Sequence, residues 1–192
     1  MQINPSDIDT IIENVEMQAE YINRIVEVTT QSYTSELDKC MEEVSKELMD
    51  NPNPPMQNLE KHFLNLSNAI YFVAEKTEKI GILDGVSKVM AREIYNNAYL
   101  ESQSISNDKG KKPTVGESTA KAENESLENN IVNEIYSRAY KIVKTKVDAA
   151  NTMISTISKI ISRRMSEVQF SVVNNGTRQI LNEEVTNNFT PF

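Results

Sequence analysis

The chain has 192 residues, a net charge of −8, five glycines, six prolines and no tryptophan. So little turn chemistry excludes a sheet protein of this length, and an aromatic content of 6% excludes large aromatic clusters. The expected class is all-α: an elongated helical bundle, coiled-coil-like, with long N- and C-terminal helices.

Asn4-Pro5-Ser6-Asp7 carries helix-start chemistry, because Pro fits a first turn, Ser caps and Asp favours the positive helix end. Behind it Ile8, Ile12, Val15, Ala19, Ile22 and Val26 keep one helical stripe. Val28 to Ser32 weakens helix propensity and marks a candidate kink. Tyr33, Leu37, Cys40, Val44 and Leu48 then resume the same face. One helix is predicted over 6–50, ended by Asp50-Asn51-Pro52-Asn53-Pro54-Pro55.

A second helix is predicted from Met56 to Ile80 with Gly81 as its C-cap, and a third from Val86 until it fades near Ser102. Residues 1–102 thus form an acidic helical region. Segment 103–126, rich in Ser, Lys, Glu and Gly without apolar periodicity, reads as a flexible linker. Segment 127–173 reads as a long amphipathic helix, and 174–192 as a flexible tail opened by the helix terminator Asn174-Asn175-Gly176. Within that tail Ile180, Leu181, Val185 and Phe189 are apolar residues assigned to no element. Glu93 to Tyr99 and Glu134 to Tyr140 share Glu-Ile-Tyr-x-x-Ala-Tyr, either equivalent packing of two helices or coincidence.

From 131 to 172 there is no Gly or Pro, and Tyr136, Tyr140, Val143, Val147, Ala150, Ile154, Ile157 and Ile161 step by four and three. A rod of this length, about 63 Å, must lie against another long helix or against a copy of itself. Asp at Ile154 and Ile157 is expected to abolish assembly of subunits, because it buries unpaired charge in the seam.

Charge is polarised along the chain. Residues 1–100 carry 17 acidic and 8 basic side chains, whereas 127–192 carry 6 acidic and 8 basic. The single cysteine, Cys40, occupies an apolar position and reads as a small buried hydrophobe in a reducing cytoplasm. No 18-residue apolar run and no charged-then-apolar leader is present, so no membrane association is expected.

Catalytic constellations are missing. There is no phosphate-binding GxxxxGK loop, no GxGxxG, no HExxH and no cysteine pair for zinc, so no enzyme, cofactor or metal is expected. Glu42, Glu43 and Glu47 fall on a polar face, and His62 reads as a boundary histidine. The candidate functional feature is the polar face of the C-terminal helix. Arg138, Lys141 and Lys144 step by three along it with Lys146 beside them, and Lys159, Arg163 and Arg164 form a second cluster. Lys109, Lys111 and Lys112 precede it. Such a row suits a phosphate backbone, with Tyr136 or Tyr140 stacking a base, so Arg138, Lys141, Lys144, Arg163 and Arg164 are the candidate nucleic-acid contacts. The bland alternative, a solvated face, needs no ligand at all.

A helical half ending near YNNAYLE, the connector KGKKPTVGESTAKAE and the final helix EIYSRAYKIVKTKVDAANTMISTISKIISRRMSE give a layout over 93–168. This layout resembles the small helical accessory proteins of tailed-phage replication and recombination modules, of which the UvsY-like recombination mediators are the nearest type. The terminal Pro191-Phe192 also resembles the tips of bacterial single-stranded-DNA-binding proteins, with only Glu183 and Glu184 as its acidic part. The resemblance implies a homo-oligomer in the bacterial cytoplasm that binds single-stranded DNA and serves a recombinase or other replication protein. The function expected is therefore a non-enzymatic phage-type scaffold or adaptor in DNA recombination or replication, with weak single-stranded-DNA binding. The alternative is a virion structural component, or an acidic inhibitor of a host protein, that makes no nucleic-acid contact.

Overall fold

The computed structural model describes residues 5–105 and 112–187, with side chains described over 9–105 and 112–171. It is all-α, built of α1 (Pro5–Asp50), α2 (Met56–Ser104) and α3 (Val115–Asn187). Among the described residues there is no strand.

The first helix runs through its weak stretch without a break. There the Thr30 hydroxyl donates to the Val26 carbonyl at 2.7 Å and the Thr34 hydroxyl to the Thr30 carbonyl at 3.2 Å, so both buried threonines are satisfied inside the helix. The proline-rich segment ends it as expected. In the turn the Asn53 amide donates to the Asn51 side-chain oxygen at 3.0 Å, and Asn58 of α2 donates back to Glu47 of α1 at 3.0 Å.

α2 is one helix and not two. Gly81 does not cap anything, and the chain passes helically through Asp84-Gly85. Leu59, Leu66, Val73, Ile80 and Ser87, seven residues apart, are all buried on one seam, which then continues in Ala91, Ala98 and Ser102. Burial of that seam outweighs the penalty of about 1 kcal/mol for each interior glycine. At Gly81 the space has a use: a Cβ there would stand 3.2 Å from the Tyr140 ring of α3. The missing side chain lets the ring lie close to the α2 backbone.

α3 begins at Val115, inside the segment assigned to a linker. Its start is a capping box, Thr114-Val115-Gly116-Glu117, in which the Glu117 amide donates to the Thr114 hydroxyl (3.3 Å) and the Thr114 amide donates to the Glu117 carboxylate (2.7 Å). These bonds hold the Glu117 carboxyl below the usual carboxylate range. Ser118, Ala122 and Ser126 then occupy buried positions four apart. The stripe of the long helix thus extends backwards in residues too small or polar to register as apolar. At its other end α3 stays helical to Asn187, across the expected terminator at Asn174-Asn175-Gly176. A single interior glycine costs only about 1 kcal/mol and need not end a helix. The side chains of Ile180, Leu181 and Val185, and all of Phe189, Pro191 and Phe192, lie outside the described residues.

The topology follows from a few contacts. Ser102 donates to Ser118 at 3.0 Å and Ser87 to Asn133 at 3.3 Å, so α2 and α3 form an antiparallel hairpin whose upper half is lined by Ser and Ala. The small residues let the two backbones approach closely there. α1 runs antiparallel to α2 and parallel to α3. Below Ile22 its Val26, Leu37 and Val44 join Leu59, Leu66, Val73, Ile80, Ala139, Val143, Ala150 and Ile157 in one core. The C-terminal rod is thus covered by the chain's own helices. Ile157 is fully buried within the protomer and Ile154 packs against the same core, so Asp at these positions unfolds the protomer before it can report on assembly. The two Glu-Ile-Tyr-x-x-Ala-Tyr segments bury the same position, Ala98 in one and Ala139 in the other.

Candidate interaction surfaces

The five candidate nucleic-acid contacts differ in their surroundings. Arg138 Nε donates to Glu134 Oε1 one turn away at 2.6 Å, and Arg163 Nε donates to Glu167 Oε1 at 2.9 Å. Both are exposed same-helix pairs of the kind worth a few tenths of a kcal/mol. Arg164 is half-buried and its Nη1 donates to the Pro54 carbonyl in the α1–α2 turn, which fixes that turn to α3. Lys141 and Lys144 are exposed, with no ion pair among the described residues. Nineteen residues of helix, about 28 Å, separate Lys144 from Arg163.

Lys146, grouped with these cations by sequence, points elsewhere. Its Nζ lies 2.6 Å from Asp38 Oδ2 and donates to the Thr34 hydroxyl at 3.1 Å, and that hydroxyl is 2.8 Å from the same carboxylate. This half-buried clamp sets the position of α1 along α3. Tyr136 and Tyr140 pack partly buried against the core. Lys109 and Lys111 lie outside the described residues; Lys112 is exposed.

Arg163 and Arg164 border an open cavity of about 460 Å³ with Leu48, Asn51, Pro54 and Ile160. His62 shares a shallow site with Glu43, Lys46 and Glu47. Among the described residues no group of three or more His, Cys, Asp or Glu is placed to hold a metal ion, and no helix is long and apolar enough to cross a membrane. Cys40 is half-buried against the core and not fully enclosed. Burial first, then the neighbouring carboxylates of Glu36 and Glu43, push its thiol above the ordinary cysteine range.

The conspicuous chemistry of the surface is apolar. Tyr71 and Phe72 of α2, 75% and 67% exposed, stand edge to face with ring centroids 5.6 Å apart. More telling are the two ends of the bundle. Asp9 to Tyr21 is exposed throughout, so the first turns of α1 form an arm apart from the hairpin, with Ile11, Ile12 and Val15 in the open. At the opposite end Arg164 meets the α1–α2 turn, and α3 continues past it as an overhang of 23 residues, about 35 Å. There Met165, Val168 and Phe170 are exposed. Periodicity located both stripes in the sequence; only the packing reveals that each runs out beyond its cover. Protein-family models, curated proteins and solved structures give no match to the chain.

Proposed function

We propose that the chain is a non-enzymatic helical scaffold or adaptor that works by burying helix faces against other chains. The observation that carries this reading is the apolar row left uncovered on the α1 arm and on the α3 overhang, where a self-sufficient bundle would end in polar residues. Sedimentation over a concentration series tests it. Masses above the 21.8 kDa of one chain are expected at micromolar concentrations, and a single-chain mass throughout removes the self-assembling scaffold.

A place in phage-type DNA recombination or replication is supported by the layout described above and by two exposed lysines. Lys141 and Lys144 are where a single strand would be held, and the arginines, engaged within the protomer, contribute less. On this reading Lys141→Ala with Lys144→Ala weakens single-stranded-DNA binding for all sequences and flattens the log–log salt slope by about 1.4. Fluorescence anisotropy at several salt concentrations reads both. An absence of binding, or an unchanged slope, leaves the alternative of a virion component or an acidic inhibitor of a host protein, to which the acidic arm is suited.

A further inference from the structure

Above Ile22 the hairpin lacks the cover that α1 gives it lower down. The pair of Asp38 with Lys146 and the bond from Asn58 to Glu47 fix the register of α1. Counted upward from these contacts, Val15 and Ala19 come level with Met90 and Val86 of α2, and Glu16 and Glu20 with the turn of α3 that holds Glu125 and Glu128. The seven-residue repeat of the hairpin tells which of its side chains look toward α1 at that height. Ala69 and Phe72 of α2 border Cys40 of α1, and Leu83, Val86 and Met90 stand fourteen or twenty-one residues beyond them. Lys146 turns to α1, and Val132 and Glu125 precede it by the same intervals. Glu128 stands fourteen residues before Ile142, which borders Asn23 and Val26 of α1. The centre of this face is apolar and bare: Met90 is 52% and Val132 45% exposed, and Val15 of the arm is 60% exposed.

Carboxylates frame it on both sides. The arm carries Asp9, Glu13, Glu16 and Glu20, and the hairpin contributes Glu125, Glu128 and, seven residues after Val86, Glu93. The cations on these faces, Arg24 and Lys121, are already paired. Arg24 lies 3.8 Å from Glu20, and Lys121 lies 3.7 Å from Glu101 and 3.6 Å from Glu125. Lys88 and Arg92 repeat the positions of Gly81 and Leu64, on the flank of α2 turned away from α1.

The chain's own free ends do not suit this seat. Closing the arm onto the hairpin sets Glu16 and Glu20 against Glu125 and Glu128. A second copy presents the same acidic end, and its overhang from Met165 to Asn187 carries Glu167, Glu183 and Glu184 against Arg178 alone. The lysines of the connector come with no apolar side chain from 106 to 112. Carboxylates on both walls likewise repel a nucleic acid or an anionic membrane.

We propose that the face between the α1 arm and the upper α2–α3 hairpin receives an amphipathic helix of a different protein, one whose apolar stripe is flanked by Lys or Arg. The stripe meets Ile12, Val15, Val86, Met90 and Val132, and the flanking cations meet the carboxylates on either side. A partner helix of about 17 residues matches the arm, which spans about 26 Å from Pro5 to Tyr21. This rests on the adaptor reading above and supplies the chemistry of its partner.

Fluorescence anisotropy with the full-length protein tests it. The probe is a labelled peptide of about 18 residues, Leu and Lys only, with Leu at helical steps of three and four. A second peptide has the same composition in scrambled order, and a third has Glu in place of Lys. The first should bind saturably, and the other two at least about tenfold more weakly. Val15→Asp with Met90→Asp should weaken the first peptide about tenfold or more, although it adds negative charge, whereas Met49→Asp at the far end of α1 should change nothing. All three positions are exposed, so circular dichroism should match the unaltered protein. Glu125→Gln with Glu128→Gln should weaken binding and flatten its salt dependence. Equal binding of the scrambled peptide, or binding unmoved by Val15→Asp with Met90→Asp, means attraction to the acidic surface at large and overturns the seat. So does absence of binding. Sedimentation keeps the two readings apart: a chain that self-associates but takes no peptide loses this partner and keeps the scaffold, and one that takes the peptide as a single chain keeps the adaptor and loses self-assembly.

Discussion

At Cys40 burial and two neighbouring carboxylates act on one thiol. Burial against the core raises its pKa most, and Glu36 and Glu43 add to that by opposing the thiolate. A raised pKa means less thiolate at neutral pH, so alkylation should be slower than for a free cysteine and should accelerate only at higher pH. Glu36→Gln with Glu43→Gln should move the inflection of the rate–pH profile downward but leave it above that of free cysteine, since burial is the larger cause. An inflection unchanged by the double substitution would show that the carboxylates do not act on the sulfur. Lys146 shows the complementary situation, in which a residue type misleads. Its charge groups it with Lys141 and Lys144 in sequence, but two residues beyond Lys144 carry it to the other side of the helix, where it meets Asp38 and the buried Thr34. Sequence shows that a lysine is on a helix but not which neighbouring helix will offer it a carboxylate.

Among the elements, the two glycines of α2 separate local from tertiary effects. Gly85 has nothing within 4 Å of the place a Cβ would take, so Gly85→Ala should stabilise by about 0.5–1 kcal/mol through helix propensity alone. Gly81→Ala gains the same propensity and loses room, since its Cβ would press on the Tyr140 ring at 3.2 Å. Chemical denaturation should therefore show a smaller gain or a loss at Gly81, and equal gains would mean that the ring yields freely. The same contrast explains the misplaced boundaries. Gly81 and Gly85 look like punctuation because propensity is local, but a seam spaced by sevens on both sides holds the helix straight through them. The start of α3 was legible in principle, for Thr114-x-x-Glu117 is a capping box. The apolar pattern gives no sign of it, because Ser118, Ala122 and Ser126 do not read as an apolar stripe, although all three are buried.

For the molecule as a whole, burial separates positions that look alike in the pattern. Ile157 is fully buried and Val168 is 62% exposed on the continuation of its stripe. Ile157→Ala should cost about 2–5 kcal/mol of protomer stability. Val168→Ala should change the stability of an isolated protomer by less than about 0.5 kcal/mol, and weaken assembly instead. Denaturation at protein concentrations low enough to keep the chain a single copy reads the first quantity without the second. Comparable losses at both sites would mean that the overhang is covered by its own protomer.

By itself the sequence determined the class, the long C-terminal rod, the helix stop at Asn51 to Pro55 and the residues that line the stripes. Periodicity and proline act within a few residues of where they occur, so they can be read locally. Tertiary structure alone decided that the rod is covered by its own chain, that Lys146 and Arg164 tie helices together, and where along each stripe the cover ends. Those outcomes depend on the relative register of helices more than a hundred residues apart in sequence, and an apolar position looks the same from within its own helix whether a neighbour reaches it or not.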